Sequence, residues 1–525
     1  MNESASRRIA SSAGAISLAT AASRILGFVR DLIVAKLFGT GVQAQAFVVA
    51  FRLPNLFRDI VAEGAMTAAV VPVLSATRAT KSPGEFWRLT QALFVRITVA
   101  VTALGILGFV LAPWLVSLIA PGFTSHPEKY AMTVGLTRIL FPFITLVGMW
   151  AFFSGLLNSL HHFAVPALGP AVLNLAMIAG CVWLVPRAQP AVAGLAWAVM
   201  AGGVIQFAMQ VPPALARGFR FRWVWRHEGS RDVMRLLAPR LVGTAVYQMS
   251  VLFDTILASL GSLAGEGAVA ALYFANRLVQ LPLALFATAS AQASLPTLSE
   301  RAAVKDLQAF RATVVVLLRV VAFESVPAAV GLTVLATPIV RVCFERGAFD
   351  RSATLMTART LSLLAIGLLA YAAGKILSGA FYALHDTRTP VRLAIQALVI
   401  NMALAVAFIT PLGVGGLALA TALSSSLNAW RLLTSLERRL GLPLAPSLIS
   451  PVLRIGAAAL IMGLVCWVVP LGWTTRMTPL AELLLVIVGG ILVYGVGCRL
   501  LGVAEVSTVI RWLVRRFPIR RSSSA

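Results

Sequence analysis

Acid is scarce in this chain: 19 aspartates and glutamates stand against 44 lysines and arginines, and charged residues of both signs make up only 12% of its 525 residues. A soluble domain carries about twice that share of charge, so an ordinary water-facing surface is excluded. Histidine and cysteine are sparser still, at five and four residues. Cys181, Cys343, Cys466 and Cys498 are scattered through apolar segments, with no Cys-x-x-Cys spacing and no clustered histidine. That pattern points to buried thiols, and it argues against a disulfide framework, a metal site or a metal cofactor. Paired carboxylates and His/Asp/Arg constellations of defined spacing are also missing, which removes the usual equipment of a membrane enzyme.

Hydrophobic residues fill the space left by charge, at 59% of the chain with a mean hydropathy of +0.88. About fourteen apolar runs reach the roughly 20 residues that a spanning helix requires. They cover 13–38, 43–75, 87–119, 130–158, 164–185, 191–215, 236–260, 268–298, 310–343, 353–383, 391–410, 414–436, 451–470 and 480–501. Each run is continuously apolar rather than alternating, which excludes a closed β-barrel. The expected fold is an all-α polytopic membrane protein with about 14 transmembrane helices.

The net charge of +25 would suggest nucleic acid in a soluble protein. Here the cations sort by loop instead, so they report topology and contact with anionic lipid headgroups; no nucleic-acid partner is expected. Arg7/Arg8, Arg78/Lys81/Arg88, the seven arginines from Arg217 to Arg240, Arg301/Lys305/Arg311, Arg388/Arg392, Arg438/Arg439 and the tail from Arg511 to Arg521 fall on one side. The other side holds only isolated cations such as Lys129, Arg187, Arg346, Arg351 and Arg476. Both termini are therefore expected to be cytoplasmic. The start resembles a signal anchor without a signal-peptidase site, and is expected to stay. The tail reads either as a helix lying in the membrane interface or as a solvated basic segment.

An internal repeat organises the rest. Asp31 and Asp254 each precede an apolar run that ends in glycine, Arg52-Leu53 matches Arg277-Leu278, and Val71-Pro72-Val73-Leu74-Ser75 matches Leu295-Pro296-Thr297-Leu298-Ser299. Ala112-Pro113 matches Thr337-Pro338, Leu160-His161 matches Leu384-His385, and Gly194-Leu195-Ala196 matches Gly416-Leu417-Ala418. All six offsets lie between 222 and 225 residues, and each unit holds about six helices. An even number of crossings brings both copies into the membrane the same way round, so two parallel six-helix lobes are expected, with two additional C-terminal helices outside the repeat. The expected division is an N-lobe over 1–215, a basic cytoplasmic linker over 216–235, a C-lobe over 236–440, the last two helices over 441–505 and a basic amphipathic tail over 506–525. Two lobes of this kind are the architecture of alternating-access transporters.

Charge inside the apolar runs marks the candidate site. The stretch from Ser23 to Pro72 carries Arg24, Arg30, Asp31, Arg52, Arg58, Asp59 and Glu63 within segments long enough to cross a bilayer. Each such charge costs about 2.5–3.5 kcal/mol on insertion scales, so it is expected to face a cavity or a partner.

Ser23-Arg24-Ile25-Leu26-Gly27-Phe28-Val29-Arg30-Asp31, Leu53-Pro54-Asn55-Leu56-Phe57-Arg58, Ala62-Glu63-Gly64-Ala65, Ala120-Pro121-Gly122-Phe123 and Ala275-Asn276-Arg277-Leu278 together resemble the MurJ/MviN family of lipid II flippases, within the multidrug/oligosaccharidyl-lipid/polysaccharide exporter superfamily. The resemblance covers nearly the whole chain. It implies two lobes around a central cavity, a lipid-tail groove formed by the last two helices, and transfer of the lipid-linked peptidoglycan precursor across the bacterial inner membrane. It also implies substrate-binding arginines at Arg24, Arg30, Arg58 and Arg277, with Asp31, Glu63, Arg52 and Asp59 as gating or ion-pair residues. Gln45, Asn276 and Gln280 depart from the family pattern, since many relatives carry an acid there. The resemblance leaves sodium, protons or the membrane potential as the driving force, with Asp254 as the candidate cation site, and cell-wall synthesis or division proteins as candidate partners.

The residues support the same chemistry directly. A carrier of lipid II must hold the charge of a diphosphate inside the membrane, and the arginine fork stays charged on desolvation and grips phosphate oxygens in pairs. On an ideal helix Arg24 and Asp31 lie near one face, whereas Arg24 and Arg30 are about 120° apart. Gly27 and Pro54 offer places for the first two helices to bend. The four arginines are expected to converge on one solvated cavity. The competing reading is that Arg24, Arg30 and Arg58 pair with Asp31, Asp59 and Glu63 to hold helices together. Arg96, Arg138, Arg319 and Lys375 are assigned to helix ends, where snorkelling suffices. Asn174, Asn401 and Gln206 either pack helices or touch substrate. A drug exporter of the same superfamily would need an acidic cavity, and an exporter of another anionic lipid-linked saccharide is the alternative function.

Overall fold

The computed structural model describes residues 3–60, 66–469 and 477–506, and no strand occurs among them. Glu63, Arg476 and the basic tail beyond residue 506 lie outside the described residues. The helices, in chain order, are α1 (Glu3–Phe38), α2 (Val42–Ile60), α3 (Met66–Thr80), α4 (Pro83–Val110), α5 (Ala112–Ile119), α6 (Pro127–Leu140), α7 (Phe143–Ser159), α8 (Ala164–Trp183), α9 (Ala191–Ala208), α10 (Val211–Ala216), α11 (Ser230–Ser259) and α12 (Gly261–Ala264). They continue with α13 (Ala268–Pro282), α14 (Thr288–Ala303), α15 (Leu307–Val334), α16 (Ala336–Phe344), α17 (Arg351–Ala365), α18 (Leu368–Ala383), α19 (Arg388–Leu412), α20 (Val414–Leu440), α21 (Ala445–Val468) and α22 (Pro479–Leu500). A π-helical turn, Leu283–Ala287, joins α13 to α14 just after Pro282, whose ring removes a backbone donor.

Among the described residues, all fourteen apolar runs fall mainly on helix. Among the described residues, eight spans are long and apolar enough to cross a membrane, and α17 with α18 makes a ninth across a 44° bend. Helix α2 carries Arg52, Arg58 and Asp59 within its 19 residues.

The chain divides into two compact units, Met1–Ala270 with Arg346–Asp350, and Ala271–Glu345 with Arg351–Ala525. In the first, Phe152, Phe153, Leu156 and Leu157 of α7 pack with Val70 and Leu74 of α3, Leu89 and Leu93 of α4, and Phe219. In the second, Phe310, Val314 and Leu318 of α15 pack with Ile376 and Phe381 of α18 and with Leu432 and Leu436 of α20. Helices α21 and α22 join α15 through Ile455, Ala459 and Met462 with Tyr494 and Cys498, and the Tyr494 hydroxyl donates to the Phe323 carbonyl at 2.7 Å.

The repeated motifs do the same local work twice. Ser82 caps α4 by accepting from the Glu85 N–H, and Asp306 caps α15 by accepting from the Ala309 N–H. His161 (φ 58°) ends α7 and His385 (φ 57°) ends α18 in left-handed turns. In both, the following N–H reaches back five residues, His162 to the Leu157 carbonyl and Asp386 to the Phe381 carbonyl. The residue after each histidine then meets an arginine. Arg217 donates to His162 Nδ1 at 2.9 Å, whereas Arg439 pairs with Asp386 at 3.3 Å. Burial, and then the Arg217 charge, hold the His162 pKa below its ordinary value, consistent with the neutral acceptor. The Thr389 N–H, first among several donors, depresses the Asp386 pKa. Its stabilising effect is therefore present above the ordinary carboxylate range and is lost as pH falls through the depressed value.

Two loops of the first unit close on helix ends in matching fashion. The Gly122 N–H lies 3.3 Å from Ser259 Oγ at the end of α11, and a Cβ on Gly122 would stand 2.1 Å from the Ser259 carbonyl oxygen. The Ala348 N–H donates to the Lys36 carbonyl at 2.9 Å at the end of α1, and a Cβ on the neighbouring Gly347 would also run into that carbonyl. These contacts explain why Ala120-Pro121-Gly122-Phe123 carries a glycine and why 346–350 clusters with the first unit. Gly122→Ala is expected to destabilise the protein by about 1–3 kcal/mol through overpacking. Gly135→Ala, on an exposed helical position with nothing within 4 Å, should be neutral or stabilising. Thermal unfolding in detergent distinguishes the two; equal effects would show that the Gly122 contact is unimportant.

Candidate functional site

A deeply buried pair of charges lies on α1. The side chains of Arg30 and Asp31 are 8% and 3% exposed, and they form an ion pair of 2.7 Å from Nη2 to Oδ1, with Nε donating to the same oxygen at 3.1 Å. The other guanidinium nitrogen, Nη1, donates to Asn174 Oδ1 on α8 at 2.8 Å. Asn174 Nδ2 in turn donates to the Ser23 carbonyl at 3.0 Å. Three polar side chains thus satisfy one another inside an apolar helix pair, which makes a buried charge tolerable.

Gly27 belongs to this arrangement. A Cβ there would sit 3.2 Å from Asn174 Nδ2. Its missing side chain makes room for the asparagine to reach Ser23, and α1 runs through it as one helix rather than breaking there. Asn174 is therefore a helix-packing residue. Asn401 has the same role between α19 and α20, accepting from Thr421 and Ser424, each at 3.4 Å.

On α2, Arg58 pairs with Asp59 at 3.0 Å, and Asn55 Nδ2 donates to the second Asp59 oxygen at 3.2 Å. Both charged side chains are about a quarter exposed, which separates this pair from the sealed one on α1. Arg52, six residues earlier, is half-buried, and α2 runs through Pro54. Arg24 lies exposed on α1, roughly 9 Å along the axis from Arg30.

Arg277 sits half-buried on α13 of the second unit. Its guanidinium stacks over the Tyr273 ring at 4.8 Å, donates to the Tyr273 hydroxyl at 3.2 Å, and reaches Gln280 Oε1 at 3.4 Å. Gln280, one of the departures from the pattern that the resemblance implies, is a neutral acceptor here. Asn276 is exposed and donates to the carbonyl of Leu272 in its own helix. Asp254 is half-buried on α11.

Of the four expected cavity arginines, two are therefore held by the carboxylate next to them in sequence. The structure brings Arg30 to Asp31 and Asn174, Arg58 to Asp59 and Asn55, and Arg277 to Tyr273 and Gln280. The helix-end assignments also acquire partners. Arg319 pairs with Glu505 at 2.7 Å, Lys375 donates to Thr288 at 2.8 Å, and Arg138 lies 5.9 Å from the Phe109 ring centroid.

Sequence reasoning passed over a second polar centre, built on Lys129. This residue is 5% exposed at the start of α6, donates to Gln45 Oε1 at 3.0 Å, lies 4.0 Å above the Phe123 ring centroid and stands 3.8 Å from Glu266. Gln45, another departure from the pattern that the resemblance implies, thus accepts from a buried cation. The available signal was a lone lysine bordering an apolar run in a loop otherwise poor in cations. Asp31→Asn should cost about 3–5 kcal/mol, because it strands the Arg30 charge in a buried site. Asn174→Ala should cost about 1–3 kcal/mol. Detergent-melting curves read both effects, and an unchanged melting temperature in Asp31→Asn would contradict a structural role for the pair.

The family model described as "Lipid II flippase MurJ" matches residues 34–487. The lipid II flippase MurJ of Burkholderia cenocepacia is 33% identical over 477 residues, covering 89% of this chain and 92% of that protein. A solved structure described as "Lipid II flippase MurJ, inward closed conformation" superimposes with a TM-score of 0.79 at 27% identity, covering 92% of this chain and 98% of the other. An inward-facing multidrug resistance MATE family transporter of the MOP superfamily shares the fold, with a TM-score of 0.67 at 15% identity over 80% of this chain and 94% of its own.

Proposed function

The chain belongs to the MurJ family of lipid II flippases, and from that premise we propose that it carries lipid II from the cytoplasmic to the periplasmic leaflet by alternating access, gripping the diphosphate with arginines. It is a multi-pass inner-membrane transporter and not an enzyme. Both termini are assigned to the cytoplasm on the distribution of loop cations.

The observation that carries the reading is the division of labour among the intramembrane arginines. Arg30 is sealed by Asp31 and Asn174, so it positions α1 against α8 and keeps Arg24 in place on the same helix. Arg24 is exposed, Arg58 is partly exposed and Arg277 is half-buried against a tyrosine, so a ligand can reach each of them. The Arg58–Asp59 pair keeps the empty carrier close to neutral at that point. An arriving diphosphate displaces the carboxylate and takes the guanidinium in a stronger bidentate contact. Release follows when a conformational change favours a state that binds the diphosphate less well, since each contact alone is modest in a wet site. Asp254 is the position at which a coupling cation would act, and cell-wall synthesis proteins are the partners to which the carrier would deliver.

Arg24→Ala and Arg277→Ala should each abolish complementation of a flippase-depleted strain while membrane insertion stays intact. Lysine at either position should rescue only in part, because a point charge lacks the fork. Arg438→Ala, on an exposed cytoplasmic-side position, should be nearly silent. Normal growth and precursor translocation in correctly inserted Arg24 and Arg277 variants would refute the arginine grip.

A further inference from the structure

We propose that the segment Phe219–His227 is a preformed strap that binds the headgroups of anionic phospholipids at the membrane surface. The segment reads Phe219-Arg220-Phe221-Arg222-Trp223-Val224-Trp225-Arg226-His227 and runs without helix between α10 and α11. Aromatic and basic residues alternate along it, and in an extended chain alternate side chains share a face. The Trp223 and Trp225 rings stack with centroids 6.4 Å apart and planes 9° from parallel, which puts them on one face.

That face climbs out of the protein. Phe219 is fully buried in the core between α4 and α7, Phe221 packs on Phe94 but is 54% exposed, and Trp223 is 76% exposed. Exposure of this much indole calls for an amphipathic surrounding, and the membrane interface is where tryptophan finds one.

The strap is held in this form by α4 and by its own turn. Gln91 donates to the Arg220 carbonyl at 3.1 Å and Arg96 to the Trp225 carbonyl at 2.7 Å. Arg96 also reaches Ser230 Oγ at 2.6 Å, and His227 lies 3.0 Å from Glu85. Arg96, assigned from sequence to snorkelling, is thus the clasp of the strap. Beyond Arg96, α4 is uncharged to its end at Val110, so the strap lies where that helix passes from polar surroundings into the apolar span.

Charge identifies the occupant. Arg220 is used internally, donating to the carbonyls of Leu215 and Phe219. Arg222 and Arg226 are exposed, and neither side chain has a hydrogen bond or ion pair among the described residues. With the indoles directed toward the acyl boundary, these two guanidinium groups reach outward to the layer of lipid phosphates. Arg78, Lys81 and Arg217 lie at the same end of the unit, through Arg78 to the Ser159 carbonyl and Arg217 to His162. A cationic rim facing the phosphates selects an anionic leaflet. A zwitterionic one offers no net charge to match it.

The test uses the full-length protein in lipid nanodiscs containing brominated phosphatidylglycerol or brominated phosphatidylcholine, reading quenching of tryptophan fluorescence. The strap contribution is the difference between wild type and a Trp223→Ala/Trp225→Ala variant. Brominated phosphatidylglycerol at low mole fraction should quench that contribution more strongly than brominated phosphatidylcholine, with enrichment of about fivefold for each arginine engaged. Arg222→Gln/Arg226→Gln, which removes no buried group, should retain quenching but lose the preference. Equal quenching by the two lipids would overturn the proposal in favour of an uncharged aromatic belt. No quenching of the strap by either lipid would overturn it in favour of a water-facing loop. Neither result bears on transport, because Arg222 and Arg226 are outside the substrate grip.

Discussion

A guanidinium buried between two helices of a membrane protein must find its counter-charge and its hydrogen-bond partners inside the protein, and the first unit depends on how Arg30 does so. Asp31 supplies the charge, Asn174 supplies an acceptor from another helix, and Gly27 supplies the room. None of the three suffices alone. An aspartate without the asparagine leaves donors unmet, and an asparagine without the glycine cannot reach the backbone of α1. The result fixes the face that α1 turns toward α8, and so the direction in which Arg24 on the same helix can act.

The same economy distinguishes the other arginines. Sealed pairs such as Arg30–Asp31 are poor ligand sites, because a ligand would have to displace an intact buried network. The partly exposed Arg58–Asp59 pair and the tyrosine-backed Arg277 are better ones, since water already competes for them and a diphosphate competes harder. A carrier needs such graded strength. It must hold a doubly charged group long enough to turn, and then let go.

The sequence made the helices legible because membrane spans are written in unbroken apolar runs, and among the described residues all fourteen runs fall mainly on helix. One match of the repeat has a cause that appears only in three dimensions: His161 and His385 end helices in the same left-handed turn. The parallel between Gly122 and Gly347, each leaving space for a carbonyl at the end of another helix, emerges from the structure alone. Pairing was not legible. Adjacent residues such as Arg30 and Asp31 project about 100° apart on a helix, so only flexible side chains and the surrounding packing decide that they meet. Asn174 lies 144 residues from Arg30, and nothing in the local pattern separates it from Asn401. Lys129 looked like a topological marker because its partners, Gln45, Phe123 and Glu266, come from three other segments. Gln45 and Gln280 also read differently once each amide is seen accepting from a cation, since a neutral oxygen there still meets the donor.

The central claim is that the carrier recognises the diphosphate charge of its substrate, and this can be measured without altering the protein. In proteoliposomes containing the wild-type chain, translocation of lipid II is compared with that of an analogue whose diphosphate is replaced by an uncharged linkage of similar length. Loss of two charge-assisted contacts predicts a rate lower by roughly a hundredfold or more for the analogue. Equal translocation of the two lipids would contradict the account.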